Sequence, residues 1–321
     1  MNLTKLVAGA VCACAITATA PAYADYPSKP ITMVVPFSPG GNLDITARII
    51  APALEKALNG RIVVVNRPGA GGIIGANQVA RAAPDGYTVL VTTPNAIAVA
   101  PFMTATDYKP EDFLSVGLIA QTPLVIDVPS DSKYSSVQDL IKYACDNPGE
   151  VTLGHSGIGT TNYVAMIRLQ QVTKCTFNPI AYKGSAPALV DLAGGQIDLV
   201  IDQLSSSANF ISGGKLKALA VMTRDPVPSL KGVPTLEEAG VKGLDESTST
   251  GILLPKGTPA EIITQLNEAV KKAVSDEAVK NSMHNIGSTS VSSTPEEFME
   301  QISRETQMAR ELDEAGQLKS Q

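Results

Sequence analysis

Three loops in this chain combine glycine with small hydroxyl and amide side chains, each directly before a helical pattern of apolar residues. They span residues 37–44 (FSPGGNLD), 156–162 (SGIGTTN) and 183–187 (KGSAP). Glycine lets the backbone approach a ligand, and the first turn of a helix carries unpaired N–H groups and a partial positive charge. Such loops can hold an anion, for example a carboxylate, without an arginine.

Helix capping is the alternative interpretation of these loops, because each contains a residue type that commonly caps a helix. For any one loop capping is the better explanation, but three such loops together favour a ligand site. The capping residues would be Asn42, Thr160 and Ser185. The candidate ligand-binding residues are Phe37, Ser38, Gly40, Gly41, Asn42, Asp44, Asn95, Ser156, Gly159, Thr160, Thr161, Asn162, Gly184, Ser185, Ala186 and Asp202.

Two aspartates in this set have different expected roles. Asp44 lies in a first helical turn, where its carboxylate can accept hydrogen bonds from the loop's own N–H groups and hold the Gly-Gly segment in shape. Its spacing from Arg48 predicts a surface ion pair worth a few tenths of a kcal/mol, so Arg48 has no expected ligand role. Asp202 follows an apolar strand at the edge expected to face a cleft, and a helix cap and a pocket role are equally open for it.

The motifs of nucleotide-binding proteins and serine hydrolases are incomplete. Segment 69–75 (GAGGIIG) has isoleucine where the dinucleotide fingerprint needs its last glycine. Segment 154–158 (GHSGI) has isoleucine where the nucleophile elbow needs its second glycine. His155 adjoins Ser156 in sequence and therefore points elsewhere, which leaves His284 as the other candidate base. A cleft hydrolase is thus a weak alternative, and we expect no enzyme activity, no cofactor and no metal.

Composition restricts the class of protein further. Of 321 residues, 44% are hydrophobic and 17% are charged, which is typical of a globular protein. The formal net charge is -6, and no basic run is longer than Lys271-Lys272, so nucleic-acid binding is excluded. Tryptophan is absent, which argues against a sugar-binding cleft built on aromatic stacking.

The amino terminus has the pattern of a secretory signal peptide. Residues 1–5 include one lysine, residues 6–20 are small and apolar, and Ala22-Tyr23-Ala24 fits the cleavage rule. A membrane anchor is the alternative, but the apolar run is shorter than the roughly 18 residues needed to span a bilayer. We therefore expect residues 1–24 to be removed and the mature protein to reach the periplasm.

Cleavage would leave two cysteines, Cys145 and Cys175, in an oxidising compartment. Each precedes a predicted strand, and the beginnings of parallel strands lie at the same end of a sheet. The two thiols could therefore approach to bonding distance. The sequence favours a disulfide, and two separately buried thiols are the alternative.

Short apolar strands alternate with amphipathic helices along the chain, which predicts an α/β fold with parallel sheets covered on both faces. Predicted strands include 31–35, 197–201 and 216–222. Extended segments at 116–128 and 216–222 would cross between two lobes, and the last strand and helices would complete the first lobe. The expected domains are residues 25–125 plus 223–321 and residues 126–222, joined as a hinged clam with a cleft between them.

Five ordered motifs give this chain a close resemblance to a known family. They are residues 26–31 (YPSKPI), 34–41 (VVPFSPGG), 66–72 (NRPGAGG), 84–88 (PDGYT) and 182–189 (YKGSAPAL). The chain resembles the Bug family, the periplasmic solute receptors of tripartite tricarboxylate transporters, over nearly the whole mature sequence. This resemblance implies a two-lobed, type II periplasmic binding protein (Venus flytrap) with a mainly parallel sheet in each lobe.

The resemblance also implies a function. It implies that a small aliphatic or aromatic carboxylate, with one, two or three carboxyl groups, is bound by main-chain amides, hydroxyls and waters. A monomeric receptor would deliver this ligand to membrane permease subunits. Leu43, Asn162 and Tyr163 depart from the family pattern and leave the ligand's identity open. A receptor that addresses a signalling partner instead of a permease is the main alternative.

Overall fold

The structure is a computed structural model that describes residues 26–314 and Leu318. The predicted signal peptide, residues 1–24, lies outside the described residues. Within 26–314, no helix has both the length and the apolar composition needed to cross a membrane. Strands and helices alternate through the described chain, which confirms the α/β class.

The strands of the described chain form one continuous, curled sheet. Their bounds are β1 Ile31–Val35, β2 Ile62–Asn66, β3 Thr88–Thr92, β4 Phe113–Pro129, β5 Thr152–His155, β6 Asn178–Ala181, β7 Leu199–Gln203, β8 Leu216–Val221, β9 Ser247–Pro255 and β10 Thr289–Ser290.

Helices cover both faces of this sheet. Their bounds are α1 Asn42–Leu58, α2 Ile73–Ala80, α3 Pro94–Ala98, α4 Ala100–Met103, α5 Val137–Asp146, α6 Thr161–Thr173, α7 Ser185–Ala193, α8 Leu204–Ser212, α9 Ala260–Ser275, α10 Glu277–Asn285 and α11 Pro295–Glu314. The sequence pattern did not predict α3 or α4. They are only five and four residues long, too short to show helical periodicity.

The order of strands across the sheet is β2-β1-β3-β9-β4-β7-β5-β6, with β8 and β10 also paired to β4. The outer strands β2-β1-β3 and β7-β5-β6 pair in parallel, as predicted. The long strands β9 and β4 lie between these two groups and pair antiparallel with their neighbours.

Strand β4 connects the two groups because it is 17 residues long. Its first part, Phe113–Pro123, pairs with β9, and its last part, Leu124–Pro129, pairs with β7 and β8. The predicted extended segment 116–128 lies within it. The proposed domain boundary at residue 125 stays a prediction, because β4 continues through that position without a break.

The sheet is buried on both faces, as expected for parallel strands between helices. In β1, Ile31, Met33 and Val35 pack into the core cluster that contains residues of α1 and α9. Val34, between them, belongs to the cluster on the opposite face. Consecutive apolar residues therefore define this strand, whereas a strand exposed on one face would show alternation.

Cys145 and Cys175 form a disulfide, with their Cα atoms 4.4 Å apart. Cys145 lies in the last turn of α5, and Cys175 lies shortly before β6, which pairs in parallel with β5. The bond closes a segment of 30 residues, which by chain entropy contributes about 3 to 4 kcal/mol of stability. The predicted pairing is confirmed.

Candidate ligand-binding site

The candidate loops meet at one edge of the sheet, where the carboxyl ends of the parallel strands lie. Strand β1 leads through residues 36–41 into α1, β5 leads through 156–160 into α6, and β6 leads through 182–184 into α7. This edge is where open α/β sheets bind ligands, because loops from several strands converge there.

A small cavity of about 30 Å³ lies between these loops. None of its eleven lining residues is charged. They are Phe37, Gly41, Asn42, Leu43, Thr93, Ser156, Thr160, Thr161, Asn162, Ser185 and Gln203. Eight of them belong to the predicted set.

Three helices begin at the cavity wall: α1, α6 and α7. The N-cap residues of α1 and α7 are Gly41 and Gly184, and neither cap carries a side-chain hydrogen bond. The first N–H groups of these two helices therefore have no side-chain cap. Thr160 does cap α6, since its side chain accepts from the Tyr163 N–H. The arrangement gives the cavity an electrostatic preference for anions without a cationic side chain.

The capping roles weighed for Asn42 and Ser185 are wrong, because both residues are the first of their helices. The Asn42 amide makes long-range bonds instead. Its Oδ1 accepts from Ser205 Oγ at 2.6 Å and from Thr122 Oγ1 at 3.3 Å, and its Nδ2 donates to Thr250 Oγ1 at 3.3 Å. Asn42 therefore ties α1 to α8 and to both long strands.

Asp44 holds the first loop as predicted. Its Oδ2 accepts the Gly40 N–H at 2.9 Å, and its Oδ1 accepts from Asn66 Nδ2 at 2.9 Å and from Arg48 Nε at 3.0 Å. Burial alone would raise the pKa of Asp44, but the hydrogen bonds from Arg48, Gly40 and Asn66 outweigh it and lower the pKa. The carboxylate thus stays ionised while it shapes the loop.

Asp202 lies behind the part of the cavity wall that Asn162 and Ser185 form. The predicted strand 197–201 is observed at Leu199–Gln203, so Asp202 belongs to β7, and Gln203 is the N-cap of α8. The capping role left open for Asp202 is therefore wrong. Its Oδ1 accepts from Ser185 Oγ at 2.5 Å and from Asn162 Nδ2 at 2.9 Å, and its Oδ2 accepts from Ser206 Oγ at 2.6 Å.

The hydroxyls of Thr160 and Thr161 have protein partners in this structure. Thr160 Oγ1 donates to the Gly157 carbonyl at 2.7 Å, which fixes the loop before α6. Thr161 Oγ1 donates to Asn95 Oδ1 at 3.1 Å, and Asn95 Nδ2 donates to Glu305 Oε2 at 2.8 Å. Asn95 lies outside the cavity lining and connects α6 with α11.

Five further candidates lie at contacts between loops, outside the cavity lining. Ser38 donates its N–H and its hydroxyl to the Lys183 carbonyl, at 3.2 and 2.9 Å. Gly184 has a φ of +134°, and a Cβ there would lie 3.2 Å from Ser38 N. A Cβ on Gly40 would lie 3.5 Å from the Ala186 Cβ. The remaining candidate is Gly159, where a Cβ would lie 2.8 Å from the Ala100 Cα.

Thr93 and Gln203 line the cavity but were not predicted. Each stands at the carboxyl end of a strand, Thr93 directly after β3 and Gln203 as the last residue of β7. Gln203 Nε2 donates to Asn162 Oδ1 and to Thr248 Oγ1, both at 3.1 Å. Both residues could have been found from their positions at strand ends. For Gln203 the predicted strand ended at residue 201, two residues before the observed end of β7.

Ser156 and His155 do not form a nucleophile–base pair here. His155 Nδ1 accepts the Gly157 N–H at 3.1 Å, and its ring packs against Tyr163 with centroids 4.9 Å apart. Burial lowers the pKa of His155. The Ser156 hydroxyl lies 3.3 Å from Ser185 Oγ instead.

The fold and the position of this cavity define a periplasmic solute-binding protein, and comparison with solved structures agrees. The periplasmic binding protein BugD matches with a TM-score of 0.86 and 33% identity, over 92% of this chain and 100% of its own. Rpa4515 of R. palustris with adipate has a TM-score of 0.86 and 33% identity, and the match covers 92% of this chain and 98% of that one. MatC of Rhodopseudomonas palustris with bound malate has a TM-score of 0.85 and 28% identity, and the match covers 90% of this chain and 100% of that one.

Sequence comparison identifies the family. Residues 46–316 match the tripartite tricarboxylate transporter family receptor, TctC. BugT of Bordetella pertussis (strain Tohama I) is 37% identical over 313 residues, covering 96% of each chain. This chain therefore belongs to the receptor family of tripartite tricarboxylate transporters, which confirms the resemblance to Bug proteins.

Proposed function

We propose that this receptor captures a small carboxylate between two lobes and delivers it to the permease subunits of a tripartite tricarboxylate transporter. The observation that carries the proposal is the uncharged cavity at the starts of α1, α6 and α7. Helix N-termini favour anions, and a cavity without cationic side chains selects a ligand that backbone N–H groups can satisfy.

Dicarboxylates are the first ligands to test. The similar proteins MatC and Rpa4515 hold malate and adipate, and both compounds carry two carboxylates. In this chain Leu43 lines the cavity and also packs into the core. Asn162 lines the cavity, whereas Tyr163 packs against His155. Because these residues differ from the family pattern, we expect the ligand preference of this receptor to differ from that of its relatives.

The small cavity and the contacts around it support closure of two lobes. The lobes would be residues 25–125 plus 223–321 and residues 126–222, moving about the segments of β4 and β8 that join them. Contacts such as Ser38 to Lys183 and Thr161 to Asn95 link the two parts across the cleft. We expect a dicarboxylate to enter after these contacts separate. We propose a periplasmic monomer that begins near Asp25.

A thermal-shift screen tests ligand capture. Malate, adipate, monocarboxylates and aromatic acids are compared with the diamide of malate, which keeps the shape but lacks the charge. A ligand at 100 times its dissociation constant adds about 2.7 kcal/mol of stability. Ser185→Ala at the cavity wall is expected to weaken binding, and the matched control Ser212→Ala, at the exposed end of α8, is expected to leave it unchanged. Stabilisation by the diamide alone, or by no acid, would contradict the proposal.

Delivery to a permease needs a separate experiment. The tagged receptor is incubated with solubilised membranes, with and without the acid that stabilises it, and bound membrane proteins are identified. Enrichment of the permease subunits with ligand supports delivery, whereas enrichment of a sensor kinase would favour the signalling alternative.

A further inference from the structure

A chain of hydroxyl groups leads from the cavity wall to a buried carboxyl group. Ser156 Oγ lies 3.3 Å from Ser185 Oγ, and either of the two can be the donor. Ser185 Oγ lies 2.5 Å from Asp202 Oδ1, which is fully buried. Ser156 and Ser185 both line the cavity, whereas Asp202 lies behind them.

We propose that Asp202 is a positioning residue that takes up one proton when a carboxylate binds and thereby turns the Ser185 and Ser156 hydroxyls toward the ligand. This inference rests on the proposed carboxylate-binding function and adds that capture is coupled to a proton. The proton comes from solution, resides on Asp202 Oδ1 while the ligand is bound, and returns to solution on release.

An ionised Asp202 directs the hydroxyl hydrogens away from the cavity. A carboxylate only accepts hydrogen bonds, so Ser185 must give its single hydrogen to Oδ1. Ser156 can then donate to Ser185, and both serines present oxygen lone pairs to the cavity. An anionic ligand would meet acceptors where it needs donors. The buried groups would also hold two negative charges in one small volume.

When Asp202 is protonated, the direction of these hydrogen bonds reverses. The acid donates from Oδ1 to Ser185 Oγ, which frees the Ser185 hydrogen for Ser156 or for the ligand. Ser156 can then donate into the cavity as well. The other partners of Asp202 remain satisfied, since Asn162 Nδ2 also donates to the Ile201 carbonyl at 2.8 Å and Ser206 Oγ can donate to the Gln203 carbonyl at 3.0 Å.

The surroundings of Asp202 favour this exchange of a proton. Helices α6, α7 and α8 present neutral side chains to it, namely Asn162, Ser185 and Ser206. The titratable group on the adjacent strand β4 is Asp127, whose pKa is raised by burial and by the charge of Asp202. Strand β5, on the other side of β7, ends in His155, which bonds to the Gly157 N–H.

Burial raises the pKa of Asp202 to about 6, although hydrogen bonds from Ser185, Ser206, Gln203 and Asn162 oppose the shift. A bound anion raises the pKa further, because a like charge disfavours ionisation. The free protein is then mostly ionised at Asp202 above pH 7, and the complex is protonated. Linkage requires affinity to fall about tenfold for each pH unit in that range.

Calorimetric titration of the intact protein with malate and with adipate, from pH 6.5 to 8.5, tests the inference. Both carboxylates of each probe are ionised throughout this range. The wild type is expected to lose about tenfold in affinity per pH unit above pH 7. Titrations in two buffers of different ionisation enthalpy are expected to show uptake of close to one proton per ligand.

The Asp202→Asn variant separates a proton effect from a structural one. Its amide can donate to Ser185 as the protonated acid does, so its affinity is expected to be independent of pH, with no proton uptake. Ser185→Ala interrupts the chain and is expected to bind more weakly with a reduced pH slope, which keeps the test available if Asp202→Asn does not fold. Ser212→Ala, at the exposed end of α8, removes a hydroxyl that takes no part in this series of hydrogen bonds and is expected to keep the wild-type slope.

Three results would overturn the inference. Wild-type affinity that is flat with pH would do so, as would a slope that persists in both Asp202→Asn and Ser185→Ala. Absence of binding by malate and adipate at every pH would instead contradict the proposed carboxylate function, and this inference with it. The first two results leave carboxylate capture intact, so the failures are distinguishable.

Discussion

Asp44 and Asp202 each support one side of the cleft, but their surroundings differ. Asp44 accepts the Gly40 N–H, and its carboxylate lies 2.9 Å from the Arg48 guanidinium. Asp202 accepts hydrogen bonds from Ser185 and other neutral groups, and the nearest titratable neighbour on β4 is another acid, Asp127. The pKa of Asp44 is therefore lowered, whereas burial raises the pKa of Asp202 to about 6.

This difference shows that aspartate can have two roles in a single site, depending on its surroundings. A carboxylate with a cation and several donors is a fixed structural acceptor at any pH near neutrality. A carboxylate buried among hydroxyls is a group whose charge the ligand can change. The first side of the cleft should therefore respond to removal of hydrogen bonds, and the second side should respond to pH.

The largest effect is expected from Asp127→Asn. Among residues 26–314, neither carboxyl oxygen of Asp127 has a partner within hydrogen-bonding geometry, although Ser207 lies beside it. Burial raises its pKa well above the ordinary value, helped by repulsion from Asp202. Its contribution to stability is therefore present below pH 4 and is lost as pH rises toward the raised pKa. Asparagine does not titrate, so the free energy of unfolding of the variant, relative to that of the wild type, should rise by about 1.4 kcal/mol per pH unit above pH 4 until that pKa is reached.

Urea unfolding at pH 4, 5.5 and 7.5 measures this gain. Asp131→Asn, which removes a charge from an exposed turn, serves as the control and should show no such trend. A stability difference between Asp127→Asn and the wild type that stays constant with pH would contradict the expected pH response of the second side of the cleft. The acids near β7 would then differ little from exposed ones.

Asp44→Ala is expected to weaken dicarboxylate binding about hundredfold. The substitution removes the acceptor for the Gly40 N–H and for Asn66, and each hydrogen bond to a charged group is worth about 1.5 to 3 kcal/mol. The loop before α1 then loses the shape that presents its N–H groups. Asp44→Asn keeps one acceptor for Gly40 and should lose less. Calorimetry checks both variants, and a loss under threefold for Asp44→Ala would contradict the structural role.

The two sides also differ in how far the sequence alone could describe them. The bond from Gly40 to Asp44 spans four positions, and a first-turn aspartate after two glycines was enough to predict it. The bonds of Asp202 to Asn162 and of Asn42 to Thr250 span 40 and 208 positions. Those partners come together only through the strand order, which a local pattern does not contain.

The same reasoning applies to the fold. Strand-loop-helix alternation and the cysteine pair were predictable because each depends on short segments and their parallel arrangement. The antiparallel pairing of β4 with β9 was not, because the register of distant strands depends on the packing of the whole sheet. Gln203 was missed as a cavity residue for a local reason, because the predicted strand ended at residue 201, two residues before the observed end of β7.

Thr161→Val is expected to weaken binding about tenfold. Its hydroxyl bonds to Asn95, which in turn holds Glu305 on α11, so the substitution removes a neutral link across the cleft. The loss of one neutral hydrogen bond corresponds to about 1 kcal/mol, with a further cost for the unpaired Asn95 oxygen. Small-angle scattering with saturating ligand should show a larger radius of gyration than for the wild type.

Thr173→Val on the same helix is the matched control, because its hydroxyl donates to the Leu169 carbonyl and accepts from the Cys175 N–H, both on the same side of the cleft as Thr173. It should close as the wild type does. Equal radii for Thr161→Val and Thr173→Val, with equal affinities, would show that neutral links contribute little and that the two aspartates alone set the behaviour of the cleft.

The smallest effects are expected from the basic residues nearest the loops, Arg48 and Lys183. The Arg48 side chain is 52% exposed, and its pair with Asp44 is an i,i+4 contact, which contributes less than about 1 kcal/mol. Lys183 contributes its backbone carbonyl to Ser38. Arg48→Ala and Lys183→Ala should therefore each weaken binding less than tenfold, because Gly40 and Asn66 still hold Asp44. A hundredfold loss in either variant, measured by calorimetry at pH 7, would mean that a direct charge pair binds the ligand and that the first side of the cleft does not depend on its backbone donors.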